Sequence, residues 1–168
     1  RLGPVFLPAL IDMQSMAVHS DRDFLKKVAE AIVGAGFGPR VAEAFELAVA
    51  SHHDSYSTFD GFVTRLSQEM PDRNLVFMFD EYELIETQID AGAISTQILH
   101  LLANLIEHKK VFVVFTGSDN LEARKKKYWD VFLGKGLHRR ISFLSKRDTL
   151  RLIQEPVQDR VVYADGVP

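Results

Sequence analysis

The sequence predicts an α/β protein with three layers, in which helices flank a mostly parallel sheet. Leu75 to Phe79 are five consecutive apolar residues, the pattern of a strand buried on both faces. A second apolar run, Val111 to Phe115, follows an amphipathic stretch at 91–108. A strand, a helix and a strand in this order are typical of a right-handed crossover. The two strands are therefore predicted to be parallel members of one sheet.

The remaining segments predict further elements around this unit. Pro4 to Met13 is another apolar strand candidate, and Pro8, which has no N–H group to donate, favours an edge strand or an irregularity there. Ser145-x-x-Asp148 resembles a capping box with Asp in place of Glu. A fourth strand is predicted at 141–145. Helical periodicity and helix-breaking residues predict further helices from Asp21 to the glycines at 34 and 36, from Pro39 to about Ala50, from Phe59 to Met70 and from Thr149 to Gln154.

Length and composition favour one intracellular globular domain. The chain has 168 residues, a net charge of -3 and no cysteine, which argues against a disulfide framework and against a protein that mainly wraps duplex DNA. No apolar run approaches the ~20 residues that span a bilayer, and no signal peptide is visible, so we expect a cytoplasmic location and no membrane partner. The chain begins with Arg1 and ends at Gly166-Val167-Pro168, which suggests a piece of a longer polypeptide.

Two adjacent carboxylates, Asp80 and Glu81, directly follow the first apolar run. Ligands of parallel sheets bind at the carboxyl ends of the strands. Paired carboxylates at a buried strand end are costly unless a cation or hydrogen-bond donors compensate them. Asp80 and Glu81 are therefore candidate functional residues, and the alternative is that they are only charges at the end of a strand.

A basic run, Arg124 to Lys127, precedes Tyr128 and Trp129. Basic residues beside aromatic rings are typical of nucleic-acid contacts. A solvated helix face with Trp129 packed inward is the favoured interpretation, and nucleic-acid binding stays open as the alternative.

Several motifs occur in a fixed order along the chain. An apolar strand ends in Asp80-Glu81, the next ends in Thr116-Gly117-Ser118, and Arg139-Arg140 precede the predicted strand at 141–145. This order resembles the second half of an AAA+/STAND-type P-loop ATPase, and the resemblance extends from the strand at 4–13 through Asp159.

The resemblance implies a role for each motif. Asp80 matches the Walker B aspartate, which supports Mg²⁺ through water once nucleotide is bound, and Glu81 matches the residue that orients or deprotonates the attacking water. Thr116 or Ser118 matches sensor 1, the polar group that contacts the γ-phosphate or that water. Arg139 or Arg140 matches the arginine finger, which reaches the nucleotide of a neighbouring subunit.

One part of the family pattern does not occur in these 168 residues: the P-loop, GxxxxGK[ST], which holds the phosphates. The resemblance therefore implies a partial ATPase core at 1–160 without the P-loop strand, and the start of a connection to a lid domain at 161–168. ATP and Mg²⁺ are expected cofactors of the parent protein, whereas the fragment alone should bind neither and be inactive.

The family's strand order also implies an uncovered apolar edge on the strand at 111–115, which invites pairing with another chain. Other copies of the chain, or other domains of the parent, are therefore expected partners, unless the strand at 141–145 is displaced.

Two alternatives to the ATPase function stay open. One is an ATPase-like scaffold or interaction module without catalysis; the other, weaker, is metal-dependent hydrolysis by Asp80, Glu81 and Glu83.

Overall fold

The computed structural model describes residues 5–35, 54–108, 111–118, 128–132, 134–137 and 139–155. The chain divides into two compact units, Arg1–Gly136 and Leu137–Pro168. The predicted helix at 39–50, the basic run at 124–127 and residues 161–168 lie outside the described residues. No helix in the described ranges is long and apolar enough to cross a membrane.

The first unit is built on a three-stranded parallel sheet. Its elements in chain order are β1 (Phe6–Asp12), a 3₁₀ turn (Met13–Ser15), α1 (Asp21–Gly34), α2 (Ser55–Glu69), β2 (Asn74–Asp80), α3 (Glu83–Asp90), α4 (Gln97–His108), β3 (Val111–Thr116) and a 3₁₀ turn (Trp129–Phe132). The strands pair in the order β1-β2-β3, and both pairs are parallel. The α/β class, the parallel pairing of β2 with β3 and the edge position of β1 are confirmed.

The helices pack on one face of this sheet, which we call the inner face. Its residues belong to the core together with Phe24 of α1 and Leu102 of α4. The ring of Phe79 stacks on Phe24 (6.2 Å between centroids) and on Phe115 (5.5 Å). The inner-face residues are Leu7, Ala9, Ile11, Leu75, Phe77, Phe79, Val111, Val113 and Phe115.

The opposite face, which we call the outer face, is apolar and largely uncovered. Leu10 is 63% exposed, Phe112 51% and Val114 39%. Val76 is only 5% exposed, yet it lies outside the core cluster. Phe6 and Phe112, from the two strands that flank β2, approach edge to face with centroids 5.8 Å apart, and Val76 is aligned with Pro8 on one side and Phe112 on the other.

The predicted third layer is therefore wrong for the described residues, which form a sheet with helices on one face only. The strand order explains this. Both connections step in the same direction, from β1 to β2 and from β2 to β3. When crossover connections have the same handedness and move across the sheet in the same direction, their helices lie on the same face of the sheet.

A hydrogen-bonded cluster joins the amino ends of α1 and α2 to the turn before α4. Tyr56 Oη donates to Asp21 Oδ2 (2.6 Å), and the N–H and Oγ of Ser95 donate to Asp21 Oδ1 (2.7 Å) and Oδ2 (2.8 Å). Partial burial alone would raise the pKa of Asp21, but these hydrogen bonds hold the pKa below its usual value. Burial and the bond to Asp21 raise the pKa of Tyr56 to about 12.

Asp21 was predicted to cap α1, but the N-cap is Ser20, whose side chain accepts from the N–H of Asp23.

This cluster predicts an acid-dependent loss of stability. Because the pKa of Asp21 is lower in the folded than in the unfolded chain, its contribution is complete above the unfolded value of 3.8 and is lost as pH falls through the folded pKa. Urea unfolding from pH about 6 down to about 3 should show this loss in the wild type and a smaller one in Asp21→Asn. Asp72→Asn, which alters an exposed carboxylate, should follow the wild type. Parallel pH profiles for Asp21→Asn and the wild type would contradict the assignment.

The second unit contains one helix among its described residues, α5 (Lys146–Gln154). Ser145 caps it: its Oγ accepts from the N–H of Asp148 at 3.1 Å and donates to Asp148 Oδ2 at 2.6 Å. The predicted cap at Ser145 is confirmed, but the Asp148 carboxylate accepts from the Ser145 hydroxyl, whereas in a capping box it would accept from the N-cap backbone N–H. The helix begins three residues before the predicted start at Thr149, because the cap itself sets the first turn.

The predicted fourth strand at 141–145 is wrong. None of these residues is in a strand, and all are exposed, with Phe143 fully so. A strand needs a neighbour that pairs with its backbone N–H and C=O groups. No described segment pairs with 141–145, so its β-forming side chains do not produce a strand.

Candidate functional site

A row of polar residues ends the three strands at the carboxyl edge of the sheet. Asp12 of β1 aligns with Asp80 of β2, and Asp80 aligns with Thr116 of β3. Because residues aligned across a parallel sheet point to the same face, the three side chains lie together at the carboxyl end of the outer face. All three residues are exposed.

Thr116 and Asp80 are in direct contact. The hydroxyl of Thr116 donates to Asp80 Oδ1 at 2.6 Å, and it also lies 3.4 Å from the carbonyl oxygen of Phe79. The N–H of Glu81 donates to the same Asp80 Oδ1 at 3.2 Å. Two donors on one carboxylate oxygen fix the orientation of Asp80 and leave its Oδ2 directed away from them.

Glu81 has an unusual backbone conformation at the junction of β2 and α3. Its φ is +56°, in the left-handed region, and it is the one non-glycine residue with positive φ in the described ranges. Its carbonyl oxygen accepts from the N–H of Leu84 at 2.9 Å, which closes the turn. A left-handed glutamate costs roughly 1–2 kcal/mol relative to the usual conformation. Strained residues of this kind concentrate at functional sites.

Ser118 has a different partner from Thr116. Its N–H and its Oγ both donate to Glu83 Oε1, at 2.6 and 3.0 Å. Gly117 permits this close approach, because a Cβ atom at that position would lie 2.2 Å from Glu83 Oε2 and 2.6 Å from Tyr82 Cδ1. Of the two candidates for the polar group beside Asp80, the structure therefore brings Thr116 to the carboxylate and joins Ser118 to Glu83.

The two arginines lie in the second unit. Arg139 and Arg140 are exposed and directly precede residues 141–145. Trp129 is packed inward, as its favoured interpretation predicted: it is 4% exposed, contacts the rings of Phe115 and Tyr82, and its indole N–H donates to the buried carboxylate of Glu86.

Two residues of this region were not recognised in the sequence. Asp12 ends an apolar run as Asp80 does, and the parallel pairing of the two strands would have predicted that the carboxylates share one edge. The sequence suggested Glu83 only as a possible metal ligand beside Asp80 and Glu81. Its contact with Ser118 joins residues 35 positions apart, and no local pattern encodes a contact of that kind.

The donor set at this edge suits a hard cation. Mg²⁺ is bound through one or two carboxylates, with waters and phosphate oxygens completing its shell. Asp12 and Asp80 are exposed carboxylates on adjacent strands. Within the described ranges, no group of three or more His, Cys, Asp or Glu side chains is arranged to hold a metal, so a divalent ion here would need ligands from water or from a bound phosphate.

No protein-family model, curated protein or solved structure matches this chain.

Proposed function

We propose that this chain supplies the Mg²⁺- and water-positioning side of an ATP-hydrolysing site of the AAA+/STAND kind, in a multidomain signalling or assembly ATPase. The observation that carries the proposal is the 2.6 Å hydrogen bond from Thr116 to Asp80 at the carboxyl ends of adjacent parallel strands. This is the placement that a Walker B aspartate and a sensor 1 residue require. The proposal needs a longer protein that contributes a P-loop, and the 168-residue chain alone is expected to be inactive.

Each residue at this edge has a role in the proposal. Mg²⁺ bound with ATP would offset charge on the phosphates, and Asp80 would hold it through a coordinated water. The Glu81 carboxylate would accept a hydrogen bond from the attacking water and orient it. The Thr116 hydroxyl would turn from Asp80 toward the γ-phosphate or that water. Arg139 or Arg140 would place a guanidinium against the nucleotide of a neighbouring subunit.

Geometry favours Thr116 over Ser118 as sensor 1. Thr116 contacts the proposed Mg²⁺-supporting carboxylate, whereas both donors of Ser118 are directed at Glu83. Asp12 adds a second carboxylate beside Asp80, which suits a second water-mediated contact to the same ion.

Turnover by the P-loop-containing protein tests this assignment. Thr116→Val should lower the rate of ATP hydrolysis by roughly 10–100-fold, because it removes a hydroxyl that acts on the reacting groups. Thr116→Ser should retain most of the activity, and Ser118→Ala should lose less than Thr116→Val. Thr64→Val, which removes a hydroxyl that donates to the carbonyl oxygen of Asp60 within α2, is the matched control. Wild-type turnover in Thr116→Val, or no ATP hydrolysis by the longer protein, would refute the proposal.

The second candidate, an ATPase-like interaction module without catalysis, is favoured by a different observation. The outer face exposes Leu10 on β1 and Phe112 and Val114 on β3, and exposed apolar residues that share a face mark contact surfaces. ATP binding and turnover by the longer protein separate the two candidates.

A further inference from the structure

We propose that Glu83 is a positioning residue, which fixes the end of β3 so that the hydroxyl of Thr116 stays on Asp80. This inference rests on the proposed function, because it concerns how the same site is held ready for the reaction. The starting observation is that the Glu83 carboxylate accepts two hydrogen bonds from Ser118, two residues beyond Thr116. Hydrogen bonds to a charged acceptor are roughly twice as strong as those between neutral groups.

The end of β3 is attached to the start of α3 on both sides of Gly117. The pairing of β3 with β2 extends to Thr116. There the N–H of Tyr82 donates to the carbonyl oxygen of Thr116 at 3.0 Å. One residue further along each segment, Glu83 Oε1 accepts from the N–H of Ser118 at 2.6 Å. We call this double attachment the clamp. It holds the backbone that follows Thr116 after the sheet pairing ends.

Gly117 packs directly against the carboxylate of the clamp. A Cβ atom at this position would lie 2.2 Å from Glu83 Oε2 and 2.7 Å from Glu83 Cδ, far closer than van der Waals contact. The Oε2 atom of Glu83 is itself buried. The carboxylate is therefore held by the backbone of Gly117 as well as by its hydrogen bonds to Ser118, and both contacts define its position.

The clamp also supports the backbone strain at the site. Tyr82 is 3% exposed, and its ring meets the ring of Trp129 edge to face at 5.1 Å. Directly before it, Glu81 has a left-handed backbone with φ of +56°. Strained conformations persist only where the surrounding structure over-determines them. The bonds of Tyr82 and Glu83 to the end of β3 hold α3 in the orientation that this turn produces, so the clamp supports Glu81 and Thr116 together.

Nuclear magnetic resonance of the 168-residue chain tests the positioning without ATP. Three-bond couplings of Thr116 should show one side-chain rotamer in the wild type and in Glu83→Gln, whose amide oxygen still accepts from Ser118. They should show averaging over rotamers in Glu83→Ala. Asp90→Ala is the matched control, because it removes another α3 carboxylate, which accepts from the hydroxyl of Tyr128 at 2.5 Å, and leaves the clamp intact. Circular dichroism checks that each variant is folded.

Turnover by the P-loop-containing protein tests the consequence for the reaction. Glu83→Ala should lower kcat at least about 10-fold, because small displacements of positioned groups carry large rate penalties. The KM for ATP should stay within about 2-fold, since the lost interaction does not bind the nucleotide. Glu83→Gln should retain most of the activity, and Asp90→Ala should retain all of it. Ser118→Ala should lose less than Glu83→Ala, because its backbone N–H still reaches the carboxylate.

Four results would overturn the proposal: several Thr116 rotamers in the wild type, a single rotamer in Glu83→Ala, an equal effect of Asp90→Ala, or wild-type kcat in Glu83→Ala. Failure of the proposed function has a different signature, which is a longer wild-type protein that hydrolyses no ATP. In that case the Thr116 couplings still decide whether Glu83 positions this side chain.

Discussion

Replacing Glu81 with glutamine is expected to lower ATP turnover by the P-loop-containing protein at least about 100-fold, while ATP binding is retained. Glutamine has the shape of glutamate but cannot accept a proton from the attacking water. The change does not relieve the left-handed backbone at this position, where φ is +56°, because glutamine has the same unbranched Cβ. The free energy of unfolding should therefore stay within about 0.5 kcal/mol of the wild type.

The control for this experiment is Glu69→Gln. Glu69 is exposed at the carboxyl end of α2, away from the carboxyl edge of the sheet, so this variant should hydrolyse ATP at the wild-type rate. Steady-state hydrolysis and equilibrium ATP binding are measured on each protein. Equal turnover in Glu81→Gln and the wild type would mean that Asp80 and Glu81 are only charges at a strand end. The interaction-module hypothesis would then lead, as it would if the longer protein bound no ATP.

The sequence predicted the sheet well where the pattern was strong. Unbroken apolar runs at 75–79 and 111–115 with a helical stretch between them leave few arrangements other than parallel strands joined by a crossover, and the structure pairs Leu75 with Val111. The polar residues that end these runs then had to share one edge of the sheet. The pairing of Thr116 with Asp80 follows from register, which the sequence does not specify, so Thr116 and Ser118 were not distinguished.

The sequence failed where a local pattern depends on a distant partner. Ile141, Phe143 and Leu144 favour extended backbone, but the described residues provide no strand to pair with them. A continuous apolar run also does not reveal whether both faces of a strand are covered: Val114 is part of such a run and is 39% exposed. The left-handed backbone of Glu81 has no signal in the sequence, because glutamate rarely adopts positive φ.

The second prediction with a large effect concerns the core beneath the carboxyl edge. Phe79→Ala is expected to lower the free energy of unfolding by about 3–5 kcal/mol. Phe79 is fully buried and stacks on Phe24 and Phe115, so its removal leaves a cavity between the rings of α1 and β3. Urea unfolding at neutral pH measures the loss, and Phe79→Leu, which refills part of the cavity, should lose less than Phe79→Ala.

Val114→Ala is the matched control, because Val114 also lies in a strand but points to the outer face. It should cost less than about 1 kcal/mol, since little apolar surface is removed from a buried environment. A large difference between the two substitutions is expected only if one face of the sheet carries the core. Equal losses would mean that the outer face is covered as well.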